Sequence, residues 1–163
     1  MIEVAANRIN KFRKKGVSLD TNSFLVYLVG MVDRDLVPKF KRTSNYRAED
    51  FDLLAALIQP VKKLFTTPHV ATELDNLASH LDEMNAKRFR DLFELLIPKM
   101  KESHQSAKKL CKESAYKQFG LADASINEVG RSRLILTDDL PLLSYIENTG
   151  GNVLNFANLR ALV

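Results

Sequence analysis

Several carboxylates in this sequence stand where an apolar run gives way to a helix-forming segment. Asp20 ends the run Val17-Ser18-Leu19 and precedes Thr21, Asn22 and a second apolar segment, Phe24 to Val32. Asp138 and Asp139 end Arg133-Leu134-Ile135-Leu136-Thr137, the clearest strand pattern in the chain. Glu73 follows the short run 63–67 at the start of an apolar-faced helix, and Asp123 lies in the opening turn of the helix feeding the Ile135 strand. In open α/β sheets the carboxyl ends of the strands form the edge where ligands bind. Right-handed crossovers bring such positions to that common edge. An Asp after a strand is also a preferred helix cap, so position alone does not separate the two roles. Four carboxylates crowded there (Asp20, Glu73, Asp123, and Asp139 or Asp138) repel by roughly a few kcal/mol per close pair at an effective dielectric near 20. A cation should therefore sit among them, and all-oxygen donors suit Mg²⁺ or Mn²⁺. Such an ion activates water and stabilises charge on a phosphoryl oxygen.

The elements that must position these groups follow from periodicity. A basic helix is expected over 2–15, closed by Gly16, then a strand over 17–20 and a helix over 22–31 that is apolar nearly all round. Residues 33–45, with Pro38 and much charge, read as a surface loop. Phe51, Leu54, Ala55 and Ile58 share a helix face within 47–59. A strand follows over 63–67, then a helix through Leu81 with Glu73 on its first turn. Longer helical stretches are expected over 82–102, kinked or broken at Pro98, and over 106–119. The helix opening at Leu121, the strand 133–137, a helix from Pro141 to Asn148 and a last strand over 152–156 complete the chain. Alternating strands and helices predict an α/β fold, a three-layer α/β/α sandwich with a central, mostly parallel sheet.

Composition bounds the partners. At 163 residues the chain is expected to form one domain, spanning 1–163, with a basic N-terminal helix in 1–16 and an extended helical region in 76–119. No apolar run approaches the roughly 20 residues a membrane span requires, and the N-terminus lacks the order of a secretory signal. Cys111 is the single cysteine, so no intrachain disulfide forms and a cytoplasmic setting is expected. The net charge of +4 tilts the partner towards a polyanion. Lys14 and Lys15 belong to one basic cluster, Lys39, Lys41, Arg42 and Arg47 to a second, and Lys108, Lys109 and Lys112 to a third.

The order of these residues resembles the PIN-domain nucleases, whose pattern runs as a strand into D-T-N, a mid-chain Glu, an A-D opening a helix, and a strand into T-x-D. Here these read Leu19-Asp20-Thr21-Asn22, Val70-Ala71-Thr72-Glu73-Leu74, Leu121-Ala122-Asp123-Ala124 and Leu136-Thr137-Asp138-Asp139, with Asn152-Val153-Leu154-Asn155-Phe156 as the closing strand. The resemblance covers about 17–156. It implies a metal-dependent endoribonuclease, with Asp20, Glu73, Asp123 and Asp139 as the catalytic, metal-binding quartet and Mg²⁺ or Mn²⁺ as cofactor. Thr137 would support the quartet through its hydroxyl, and the T-x-D spacing favours Asp139 over Asp138 as the ligand. Asn22 either lines the site or caps its helix, and Asn127 faces the pocket or solvent. RNA is the implied partner, gripped by Lys108, Lys109 and Lys112 with Lys14 and Lys15 next. The resemblance leaves room for a toxin role, an inhibitory antitoxin protein and a homodimer. The helix before the first strand and the long basic region of 76–119 depart from the compact toxins.

Two other classes bear comparison. A non-catalytic PIN-like module that binds RNA or protein would keep the fold, but gains nothing from mutually repelling carboxylates. A different phosphoryl-transfer enzyme would need a Gly-rich phosphate loop, and neither common pattern occurs.

Overall fold

The computed structural model describes residues 2–162; Met1 and Val163, the ends of the expected domain, lie outside them. Five strands form one sheet among these residues: β1 (Val17–Leu19), β2 (Leu64–Thr66), β3 (Lys101–Glu102), β4 (Leu134–Thr137) and β5 (Asn152–Asn155). The order is β3-β2-β1-β4-β5, and every pairing is parallel. Ser18 stands opposite Phe65 on one side and Ile135 on the other. The Ser18 hydroxyl adds a bond to the Phe65 carbonyl, 2.8 Å away.

Helices cover both faces of the sheet, making the expected three-layer α/β/α sandwich. Val17, Ser18 and Leu19 are all buried, as a strand covered on both sides requires. Helix α1 (Ile2–Phe12) precedes β1, and α2 (Thr21–Val32) follows it. Phe24, Leu25, Val26, Leu28 and Val29 bury nearly all of α2. After α3 (Ala48–Ile58) and β2 come α4 (Pro68–Ala78) and α5 (Glu83–Leu96). Short α6 (Ala107–Leu110) and α7 (Ser114–Phe119) lead into α8 (Leu121–Gly130), and both α2 and α8 pack on β1 and β4. Helix α9 (Leu140–Asn148) joins β4 to β5, and α10 (Phe156–Arg160) ends the chain. Gly16 turns the chain from α1 into β1 with φ +128, where a Cβ would run into the Phe65 ring. No helix among the described residues is long and apolar enough to cross a membrane.

Four stretches differ from expectation. The helix predicted over 82–102 breaks at Pro98, as expected, but does not resume: it stops at Leu96, and Pro98, which lacks an amide proton, sits in a 3-10 turn. Beyond it Lys101 and Glu102 form edge strand β3; two exposed charged residues carry no strand periodicity, although they suit an edge. This strand also interrupts the helical region of 76–119. The helix predicted over 106–119 is two helices. Leu110 and Ala115 both pack with Ala124, yet in one continuous helix a five-residue spacing would set them about 140° apart. Finally, Phe156 to Arg160 turn into a helix capped by Asn155, whose Oδ1 accepts from the Asn158 amide at 3.0 Å.

Candidate active site

The sheet reverses direction of growth at β1. The chain goes from β1 to β2 and β3 on one side, then returns to β4 on the other. The crevice at such a switch point is where open α/β sheets bind ligands. Here it separates the carboxyl ends of β1 and β4, and the Asp20 amide still reaches the Leu136 carbonyl at 3.0 Å.

Asp20 serves as both helix cap and site residue. Its Oδ1 accepts from the Ser23 amide at 2.7 Å, and its Oδ2 accepts from the Thr137 hydroxyl. Only 3% of the residue is exposed. Burial pushes its carboxyl up from 3.8 to about 6, against the lowering effect of the Ser23 and Thr137 hydrogen bonds. Thr137 also accepts from the Asp139 amide at 3.0 Å, so one buried hydroxyl fixes both strand ends. Asp139 caps α9 through Oδ1 on the Leu142 amide at 2.8 Å.

Glu73 lies at the sixth residue of α4, in its second turn rather than its first. Its Oε2 accepts from the Thr21 hydroxyl at 3.4 Å, the threonine of the D-T-N run. Helices α4 and α8 are joined where they begin: the Thr67 hydroxyl, which caps α4, meets the Ser125 hydroxyl at 2.7 Å. That contact brings Asp123, in the first turn of α8, to the same edge as Glu73. Asp123 accepts no hydrogen bond and has no ion pair among the described residues. Burial raises its carboxyl from 3.8 to about 7, and the charges of Asp20, Glu73 and Asp139 add to the shift.

Asp20, Glu73, Asp123 and Asp139 line a single cavity of about 60 Å³ with Thr21, Asn22 and Leu142. No Lys, Arg or His is among its lining residues. In kind of donor this set suits a hard divalent cation. It is not a preformed cage: among the described residues no three Asp, Glu, His or Cys side chains stand together as metal ligands. Both oxygens of Asp20 are held by hydrogen bonds, whereas the Asp123 carboxylate has no partner among the described residues. Mg²⁺ keeps several of its waters and needs only one or two protein carboxylates, so the donor set fits the ion without a closed shell.

The remaining expected residues divide. Asn22 lines the cavity and does not cap α2, since Asp20 does. Asp138 turns away from the cavity and binds Arg160 Nη1 at 3.0 Å, leaving Asp139 as the carboxylate of the site. Asn127 is buried and accepts from the Thr149 hydroxyl at 3.3 Å, so it faces neither the pocket nor solvent. Lys108 and Lys112 are exposed, but Lys109 is tied to Glu128 at 3.1 Å and to Gln105 at 3.2 Å. Lys14 and Lys15 precede β1 and so stand at the amino edge of the sheet, opposite the carboxylates; Lys15 shares a pocket there with Arg131 and Arg133.

Sequence reading missed Arg160 and Asp50. Arg160 Nη2 binds Asp50 Oδ2 at 3.0 Å and the Asn45 carbonyl at 2.7 Å, and its guanidinium lies 4.2 Å from the Tyr46 ring centroid. Asp50 stands in the first turn of α3, where any acid suits the helix start, and no local pattern links it to residue 160. No protein-family description matches the chain, and neither a curated protein nor a solved structure matches it.

Proposed function

We propose that this protein is a metal-dependent endoribonuclease of the PIN-domain type. The observation that carries the reading is the single cavity lined by four carboxylates and no cationic side chain, in which burial, and after it the charges of the other three acids, raises the pKa of Asp123. A bound Mg²⁺ or Mn²⁺ would supply Lewis acidity at a phosphoryl oxygen and lower the pKa of water. The chain's own part is positional. Thr137 and Ser23 hold Asp20, the Leu142 amide holds Asp139, and Thr21 steadies Glu73. Asp123, with no such partner, is the carboxylate able to turn towards an incoming ligand or take a proton at Oδ. RNA as the substrate rests on the order of the D-T-N, E-L, A-D-A and T-D-D runs and their resemblance to that family.

The alternative reading is a non-catalytic module of the same fold that binds RNA or protein. Incubating purified protein with total RNA, in EDTA and in Mn²⁺, tests both. The nuclease reading expects Mn²⁺-dependent cleavage that Asp123→Asn and Asp20→Asn abolish. Cleavage that survives either substitution, or none in wild type, overturns it.

A further inference from the structure

Beside the carboxylate cavity lies a larger pocket of about 440 Å³, lined by Asn22, Arg42, Asn45, Tyr46, Asp138, Asp139 and Arg160. Its size falls in the roughly 300–1,000 Å³ range of small-ligand sites. The two cavities share Asn22 and Asp139, so a group in one adjoins a group in the other.

The wall that presents Arg42 and Asn45 is an ordered stretch, although the sequence reads as a surface loop. Val37, Phe40, Thr43 and Tyr46, each three residues apart, are all buried. Successive turns close on them: the Thr43 amide donates to the Phe40 carbonyl and the Tyr46 amide to the Thr43 carbonyl, both at 2.9 Å. The Thr43 hydroxyl adds a bond to the Val37 carbonyl at 2.7 Å. A three-residue step keeps one edge of a tight turn series inward, which leaves Arg42 and Asn45 facing out. Arg160 then clamps the segment to the body of the protein through the Asn45 carbonyl, Asp50 and Asp138.

The charges in this pocket are unequal. Arg160 is matched by Asp138 and Asp50, and Asp139 belongs to the carboxylate cavity. The Arg42 guanidinium has no hydrogen bond or ion pair with any described residue, and the side-chain amides of Asn22 and Asn45 are equally unengaged. A guanidinium fork matches phosphate oxygens. Each amide offers both donors and an acceptor, the complement of a base edge.

We infer that this pocket binds the nucleotide flanking the scissile phosphate, with Arg42 on its phosphate oxygens and Asn22 and Asn45 on its sugar or base. The inference rests on the ribonuclease reading for its place in the reaction, but its chemistry can be tested without cleavage. Wild type and Arg42→Ala are titrated with adenosine 5′-monophosphate in Mg²⁺ buffer while the side-chain amide NMR signals of Asn22 and Asn45 are followed. Both signals should shift in wild type, and Arg42→Ala should bind about tenfold more weakly, the loss of one charge-assisted contact. Arg42→Lys, which keeps the charge without the fork, should fall between them. In RNA cleavage Arg42→Ala should raise KM by about tenfold with kcat within about twofold. Equal affinity in wild type and Arg42→Ala, or shifts confined to other residues, overturns the pocket assignment whatever the cleavage arm gives. Shifts that depend on Arg42, together with no cleavage by wild type, uphold the pocket as a nucleotide site and overturn the ribonuclease reading.

Discussion

The Thr137 hydroxyl donates to Oδ2 of Asp20 across 117 positions of chain. The same oxygen of Thr137 accepts from the amide of Asp139. The ends of two neighbouring strands are thus locked in one relative position by a single buried hydroxyl, and two of the four site carboxylates with them.

Thr137→Val keeps the shape and removes that hydroxyl. The hydrogen bond favours the charged form of Asp20, so its loss should raise the Asp20 pKa further above about 6. It also leaves the Asp139 amide without its partner. The expected cost is about 1–3 kcal/mol of stability in urea melts, and the acidic limb of the pH–rate profile should move to higher pH. A profile and a melt that match wild type would remove Thr137 from the site.

The raised carboxyls set a pH dependence with a definite sign. Asp123 moves from 3.8 to about 7 on folding, so the folded state holds a proton the unfolded state has released. Its penalty is full above about pH 7, shrinks as pH falls through that value, and is gone below about 3.8. Without metal, Asp123→Asn should therefore melt higher than wild type at pH 7.5 and equal to it near pH 4. Calorimetry in EDTA at both pH values checks this. Equal melting at pH 7.5 contradicts it.

Excess Mn²⁺ should reverse that order at pH 7.5. A ligand at about a hundred times its dissociation constant adds roughly 2.7 kcal/mol to the protein that binds it. For this chain length that is on the order of 5–10 °C, and Asp123→Asn should gain less. An equal rise in both proteins would leave the carboxylates as helix caps and buried acids that hold no metal.

Arg160→Ala takes one of two cationic partners from Asp50, whose side chain is fully buried; Arg47 keeps its amide on Oδ2 at 2.7 Å and its guanidinium 3.8 Å from Oδ1. With Arg47 still in place, losing the charged hydrogen bonds of Arg160 should cost about 1–3 kcal/mol, which urea denaturation would read directly. Arg160→Lys should recover only part of it, since one ammonium cannot reach Asp50, Asp138 and the Asn45 carbonyl together. Full recovery by Lys would show that only the charge matters.

Single-stranded RNA binding to the Asp123→Asn protein should lose salt dependence by about 0.7 in slope for each backbone-contacting lysine removed. Lys108→Ala and Lys112→Ala should each show that loss, and Lys109→Ala less, because Glu128 already holds its ammonium. Lys14→Ala and Lys15→Ala, at the far edge of the sheet, should leave the slope unchanged. The opposite pattern would put RNA across the amino edge.

What the chain determines locally was legible in it. Apolar runs that stop at Asp20 and at Asp138-Asp139 mark strand ends, because a three- or four-residue strand buried on both faces admits almost nothing polar before its exit. Helix caps such as Asp20 and Thr67 act on amides three residues away, so their signal lies within one turn of sequence. The choice between Asp138 and Asp139 was of another kind. Neighbours in sequence, they share the larger pocket, but Arg160, 22 positions on, captures Asp138 and only Asp139 also lines the carboxylate cavity. The place of the lysine clusters also followed only from topology, since the same charge density at Lys14-Lys15 falls at the edge opposite the acids. Edge strand β3 and the buried every-third-residue series from Val37 to Tyr46 carry no helical or alternating periodicity. Their form depends on what covers them, and tertiary packing alone supplies that.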